Sequence, residues 1–143
     1  MRKLVATAAL GFGLALPATA SARILPAVPT EFGHPQVRPH LIDYTGDGSA
    51  FLGGFTRHHA LHKSSPLADF GRLHWTTYNK NEGRAYGADW IDNFIPDGAA
   101  GTFHPFKVTV HVYRPRAGVF TRMTIVEQGR SYTLHAHGRD LWF

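Results

Sequence analysis

The chain has 143 residues, a length that suits one folded domain, and it contains no cysteine. Its 43% hydrophobic and 13% aromatic residues are enough to bury a core. The lack of thiols excludes disulfide bonds, zinc–thiolate centres, cysteine catalysis and a lipidated-cysteine anchor. The net charge of +5 comes from 15 basic and 10 acidic residues without a block of like charge. We therefore expect no nucleic-acid partner.

Residues 1–22 have the layout of a secretory signal peptide. Residues 1–3 are a short basic start, 4–16 are an apolar run, and small residues up to Ala22 fit a cleavage site. A membrane span needs about 20 apolar residues, so the run is too short for one. The sequence predicts a secreted, extracellular mature chain without a transmembrane segment. Loss of Arg2 and Lys3 would lower the net charge from +5 to +3.

Residues 23–39 form a proline-rich arm before the folded domain, which we place at residues 40–143. The arm contains Pro26, Pro29, Pro35 and Pro39. Because proline fixes φ and lacks an amide donor, we expect this arm to be extended and irregular.

Alternating apolar and polar residues, separated by turn residues, predict strands along the rest of the chain. In the clearest strand, Phe106, Val108, Val110 and Val112 share one face. The predicted strands span residues 40–45, 50–56, 72–79, 84–91, 105–114, 118–127 and 130–137.

Glycine, proline and asparagine residues complete the fold prediction because they mark turns and irregularities in the strands. Gln128 and Gly129 form a two-residue hairpin connection, and Gly87 predicts a kink in its strand. Helical turns are predicted only at residues 57–65, with Thr56 as the cap. Short strands between turn clusters are typical of an all-β fold, an antiparallel β-sandwich or small barrel of about six to eight strands.

Four sequence blocks resemble a family of small secreted actinobacterial proteins that has no assigned activity. They are residues 44–50 (YTGDGSA), 73–76 (LHWT), 93–101 (NFIPDGAAG) and 120–124 (FTRMT). The resemblance covers roughly residues 38–127. It implies a shared fold and a secreted protein, and it implies no reaction.

The third block departs from the family at two positions. In the family it usually carries a cysteine pair, and here Phe94 and Gly98 stand at those positions. If the family cysteines form a disulfide, this chain lacks it, and we expect Phe94 to pack the loop instead.

Ten histidines are the main chemical peculiarity of the chain, because histidine binds metals and titrates near neutral pH. His58, His59 and His62 lie within the predicted helical turns. On a helix, His58 and His62 would be one turn apart and could share a divalent metal ion. The glutamate of the metalloprotease motif is missing, so a solvated loop with surface imidazoles is the alternative.

A second histidine group is predicted on a sheet face. His135 and His137 are two residues apart in the last predicted strand, so their side chains point the same way. If the last three strands form a meander, Arg122 lies between them and His111, with Tyr113 on the same face. This face is a candidate ligand-binding surface, and the alternative is the ordinary wet side of an antiparallel sheet.

Aromatic residues are concentrated in one predicted strand–turn–strand region. We expect Trp75 and Trp90 in the core because each ring buries a large area. Tyr78 and Tyr86 are freer to be exposed, where their rings could stack on sugars.

The sequence favours a secreted β-sandwich module that binds a cell-wall glycan or an extracellular protein without catalysis. One alternative is a small hydrolase or metal-dependent enzyme that uses the face of His111, His135 and His137. Another is a secreted inhibitor or toxin-like protein that contacts its target through the loop at residues 93–103. The hydrolase motif Gly-x-Ser-x-Gly and a phosphate-binding loop are absent from the sequence.

Overall fold

The computed structural model describes residues 24–30, 34–94, 100–139 and 141–143. The predicted signal peptide lies outside these residues. The predicted all-β antiparallel fold is confirmed, and the helical element of the described chain is one 3₁₀ turn at Leu67–Phe70. Within the described ranges, no helix has the length and apolar character to cross a membrane.

Nine strands in the described chain pair antiparallel in one sheet that curves into a half-barrel. The path through the sheet is β1-β2-β5-β6-β7-β8-β9, while β4 pairs with β5 and β3 pairs with β6. The strands are β1 (Ile42–Asp43), β2 (Ala50–Gly53), β3 (Leu61–His62), β4 (His74–Tyr78), β5 (Glu82–Asp92), β6 (Thr102–Arg116), β7 (Val119–Glu127), β8 (Arg130–His137) and β9 (Leu141–Trp142).

Tight hairpins fix the register of β6, β7 and β8. Ala117 and Gly118 connect β6 to β7 with φ of 48° and 78°, and Gln128 and Gly129 connect β7 to β8 with φ of 48° and 76°. Two successive positive φ values match the right-handed twist of the flanking strands. The predicted two-residue connection at Gln128 and Gly129 is therefore present.

The main core lies on one face of the sheet, which we call the inner face. Val108, Val110 and Val112 of β6 alternate into it beside Met123 and Ile125 of β7. Each of these side chains is at most 2% exposed. The valine alternation seen in the sequence thus defines the buried side of β6.

The proline-rich arm packs against this inner core. Val28 is fully buried there. Ring donors bind the arm's carbonyl oxygens: Tyr78 Oη donates to Pro26 at 2.7 Å, Trp142 Nε1 to Pro29 at 2.9 Å and Trp75 Nε1 to Pro39 at 2.9 Å.

A smaller core covers half of the opposite, outer face. Phe70 lies at its centre, with its ring 5.0 Å from that of Phe51 and 5.6 Å from that of Trp90. The segment between β2 and β4 supplies Leu61 and Phe70 to this core. The other half of the outer face remains open, because β5 there carries Arg84 and exposed Tyr86.

The predicted helical turns at residues 57–65 are wrong. The segment forms bends and the short β3, in which Leu61 is buried and pairs with Phe103. Thr56 Oγ1 accepts a hydrogen bond from His58 N at 3.1 Å, which closes only a local turn. Burial of Leu61 in the outer core therefore overrides the weak helical preference of the segment.

β5 pairs with β6 without interruption from Glu82 to Asp92, so Gly87, where the sequence predicts a kink, does not break the ladder. A Cβ at Gly87 would collide with the carbonyl oxygen of Gly53 and lie 3.2 Å from Leu73 Cδ2. The glycine is needed for close approach of the neighbouring backbone.

Candidate functional site

The open half of the outer face is a grid of side chains set by strand register. Residues directly opposite on paired antiparallel strands lie on the same face. Three rows cross β5, β6, β7 and β8: Tyr86, Thr109, Val126 and Ser131; Arg84, His111, Thr124 and Thr133; and Glu82, Tyr113, Arg122 and His135.

The grid brings together four residues singled out from the sequence, namely His111, Tyr113, Arg122 and His135. His137 follows on the same side of β8, beyond the last β7 pair, and its ring meets the edge of Phe143 at 5.4 Å. The alternation argument from the sequence therefore places these side chains correctly with respect to the sheet.

Glu82 holds the His111 imidazole in place. His111 Nε2 lies 2.6 Å from Glu82 Oε2, and Arg84 Nη2 lies 3.0 Å from the same oxygen. The hydrogen bond from His111, with that from Arg84, keeps the pKa of Glu82 below its ordinary value. The imidazole also stacks on Tyr113, with centroids 4.7 Å apart and planes 23° apart.

Hydroxyl groups continue the polar surface across the sheet. Tyr113 Oη lies 3.3 Å from Thr124 Oγ1, which lies 2.8 Å from Thr133 Oγ1. Each hydroxyl has both donor and acceptor capacity. The row is therefore suited to ligands that present hydroxyl groups.

An open groove of about 400 Å³ runs over the first two rows beside Tyr86. Tyr86 is 50% exposed, and its ring lies 4.7 Å from that of His74. A β-bulge at Thr76 disturbs the pairing of β4 at the groove's edge, and Thr76 Oγ1 donates to Arg84 O at 3.2 Å. The groove thus combines an accessible ring, a charged pair and several hydroxyls.

Tyr78, in contrast, is not exposed, and the expectation that it is free for a ligand is wrong. It is 9% exposed, and burial raises the pKa of Tyr78 to about 12. Its hydroxyl donates to the arm carbonyl of Pro26. Sequence patterning missed this because the arm that buries the ring is distant in sequence.

The helical geometry on which the metal prediction for His58, His59 and His62 depended is absent. Those three residues lie in bends and in β3. Among the described residues, no group of three or more histidine, aspartate or glutamate side chains could hold a metal ion.

The expected packing of Phe94 in the family's cysteine position is wrong. Phe94 is 52% exposed and has φ of 55°. Its amide donates to Asp92 Oδ1 at 2.9 Å, so the buried Asp92 carboxylate fixes the start of the loop. Residues 95–99, which include Gly98 and the middle of the loop predicted for an inhibitor, lie outside the described residues.

A second polar cluster, which sequence reasoning missed, lies on the inner face around Asp89. The residue is fully buried, and its Oδ2 accepts hydrogen bonds from Tyr44 Oη at 2.8 Å and Tyr132 Oη at 3.3 Å. Tyr132 Oη also lies 3.4 Å from Glu127 Oε2. Asp89 Oδ1 is buried without a hydrogen-bond partner among the described residues.

Burial is the main cause that raises the pKa of Asp89 to about 7. The hydrogen bond from Tyr44 opposes this rise, and the charge of Glu127 adds to it. Burial likewise raises the pKa of Tyr44 and of Tyr132 above the ordinary tyrosine value. One sequence signal pointed to this cluster. Asp89 lies four residues after the apolar Ala85 in one strand, so alternation places its carboxylate on the same face as Ala85.

Comparison of the chain with protein-family models, curated proteins and solved structures found no match. The resemblance to the secreted actinobacterial family therefore stays a prediction. The outer-face grid with its groove and the polar cluster around Asp89 are the features that bear on function.

Proposed function

We propose that this protein is a secreted, non-catalytic module that binds a carbohydrate in the outer-face groove beside Tyr86. The observation that carries the proposal is the half-exposed Tyr86 ring at the rim of an open groove lined by hydroxyls and by Arg84. Export through residues 1–22 and membership of the secreted family belong to the same proposal.

Carbohydrate chemistry fits this groove because sugars present an apolar face and a rim of hydroxyls. The exposed face of Tyr86 is suited to stacking on the apolar face of a sugar ring. Arg84 and the threonine hydroxyls can hydrogen-bond the rim, and Glu82 keeps the neighbouring His111 oriented. The rigid strands hold these groups in place before the ligand arrives.

The carboxylates of the grid fit carbohydrate binding better than carbohydrate hydrolysis. Acid–base cleavage of a glycosidic bond uses a pair of carboxyl groups. In the three rows of the grid, Glu82 is the one carboxylate, and it is engaged by His111 and Arg84. The oriented pair of Glu82 and His111 is the feature that favours the alternative, a small hydrolase.

The test is a titration of the protein with soluble peptidoglycan fragments and with linear oligomers of glucose and of N-acetylglucosamine. Binding should move backbone amide signals of β4, β5 and β6 around the groove. Tyr86→Ala should weaken binding by about tenfold or more, since one lost aromatic stack is worth about 1.4 kcal/mol. Phe55→Ala removes a ring that is 57% exposed outside the groove and should leave affinity unchanged.

Other outcomes of the titration decide against the proposal. Unchanged amide signals with every oligomer, or equal affinity of Tyr86→Ala and the native protein, would show that the groove does not bind carbohydrate. Release of shorter sugars that stops in Glu82→Gln would establish the hydrolase instead.

A further inference from the structure

A small cavity of about 260 Å³ lies near the hairpin that connects β6 to β7. It is lined by Arg114, Arg116 and Arg122, together with Thr121 and Ala136. Three arginine residues therefore line a space that is larger than one inorganic anion.

The three arginines have no carboxylate partner among the described residues. The ion pairs of the described chain involve Lys63, Arg84 and His111. Three like charges around one cavity repel one another, and an anion placed between them would relieve this cost. Within the described protein, no negatively charged group therefore balances the three arginines of the cavity.

Hydrogen bonds through Thr121 hold the Arg122 side chain and the Arg114 backbone at the cavity. Arg122 Nη1 donates to Thr121 O at 3.1 Å, and Thr121 Oγ1 donates to Arg114 O at 2.6 Å. Arg114 has φ of 52°, a conformation that non-glycine residues rarely adopt. Such local strain is held by surrounding structure and is found often at ligand sites.

We infer that this cavity binds the phosphate group of a phosphate ester. A guanidinium presents a planar fork of donors that matches two oxygens of a phosphate, and a phosphate has further oxygens for a second and third arginine. A carboxylate has only two oxygens and would leave one arginine unsatisfied. The space beyond one phosphate leaves room for the start of the esterified group.

The experiment is a titration at constant ionic strength with inorganic phosphate, glycerol 3-phosphate and acetate, followed on the arginine side-chain NMR signals. Both phosphates should shift the Nε–Hε signals of Arg114, Arg116 and Arg122. Acetate should bind about tenfold more weakly, because it satisfies fewer charge-assisted hydrogen bonds. These measurements need only the native protein.

Variants test the assignment to these arginines. Arg122→Gln should weaken phosphate binding by about tenfold, as expected for one lost charged hydrogen bond. Arg122→Lys keeps the charge and loses the fork, so it should restore only part of the affinity. Arg57→Gln removes an exposed arginine elsewhere and should have no effect.

Flotation with vesicles of phosphatidylcholine that contain phosphatidylglycerol distinguishes two sources of the phosphate. Arginine-dependent vesicle binding that excess glycerol 3-phosphate displaces assigns the site to a lipid headgroup, and absence of vesicle binding assigns it to a soluble ester. Acetate binding as tight as phosphate binding, equal shifts at Arg57, or unchanged affinity of Arg122→Gln would each overturn the inference.

Discussion

Asp89 is a carboxyl group buried on the inner face of the sheet, and no cationic side chain among the described residues pairs with it. Two phenols, Tyr44 and Tyr132, donate to one of its oxygens, and Glu127 lies beyond Tyr132. Donation from neutral phenols compensates only part of the lost hydration of a carboxylate. The protonated form is therefore favoured in the folded protein, with a pKa of about 7.

This environment makes the stability of the protein depend on pH. Below about pH 4, Asp89 is protonated in both folded and unfolded chains, so its titration costs nothing. Between about pH 4 and 7 the unfolded chain releases this proton and the folded chain keeps it, so stability falls as the pH rises. We expect Asp89→Asn to gain stability relative to the native protein across this range, by up to about 4 kcal/mol at pH 8.

Urea unfolding of the native protein and of Asp89→Asn at several pH values measures this difference in stability. The contributions of the other titrating groups cancel because both proteins contain them. Asp69→Asn, at a partly exposed carboxylate in the 3₁₀ turn, is the matched control and should show no comparable trend. A constant difference between native protein and Asp89→Asn from pH 4 to 8 would contradict the raised pKa.

At the level of elements, β5 is the strand on which both cores depend. Ala85 faces the inner core, while Ala88 and Trp90 face the outer core. β2 lies against it in register, with Gly53 opposite Ala88. Close contact between these two strands therefore couples the inner and outer cores.

Gly87→Ala should break this contact. The added Cβ would collide with the backbone carbonyl of Gly53, which cannot turn aside as a side chain can. We expect a loss of about 2–4 kcal/mol in urea unfolding, the range of a severe overpacking. Gly118→Ala, whose Cβ would meet open space at a positive φ, should lose only about 1 kcal/mol. Equal losses in the two variants would show that β2 can shift away from β5.

Local patterns predicted the elements that are stabilised by their own alternation and turns. Residues 130–137 form β8 over the predicted span, which lies between Gly129 and Gly138, two glycines with positive φ. β3 and β9 were missed because each has two residues and forms only by pairing with β6 or β8. The predicted helical turns failed for the same reason, since Leu61 is held by contacts far away in sequence.

The candidate sites also fall into one that local sequence patterns predicted and one that they did not. Alternation placed His111, Tyr113 and His135 on one face, because the side-chain period of a strand is local. The cluster around Asp89 could not be predicted from alternation alone. It joins Tyr44 to Tyr132 across the fold, a contact that depends on the curvature of the sheet.

On the scale of the whole molecule, the proline-rich arm belongs to the folded structure. It gives Val28 to the inner core, and its Ala27 pairs with Val119 of β7. Prolines suit this role because they fix an extended backbone before it meets the core. Carbonyl oxygens of the arm then accept hydrogen bonds from Tyr78 Oη and Trp142 Nε1.

Val28→Ala tests whether the arm contributes to the stability of the whole protein. Val28 is fully buried, so removal of its two methyl groups should cost about 1.5–3 kcal/mol in urea unfolding. Ile24→Ala is the matched control in the same arm, because Ile24 is 87% exposed and its loss should change stability by less than about 0.5 kcal/mol. If the arm instead lay loosely on a domain that is stable without it, both variants would unfold at the native urea concentration. A loss at Val28 alone, with one cooperative transition, means that the arm and the sheet unfold together.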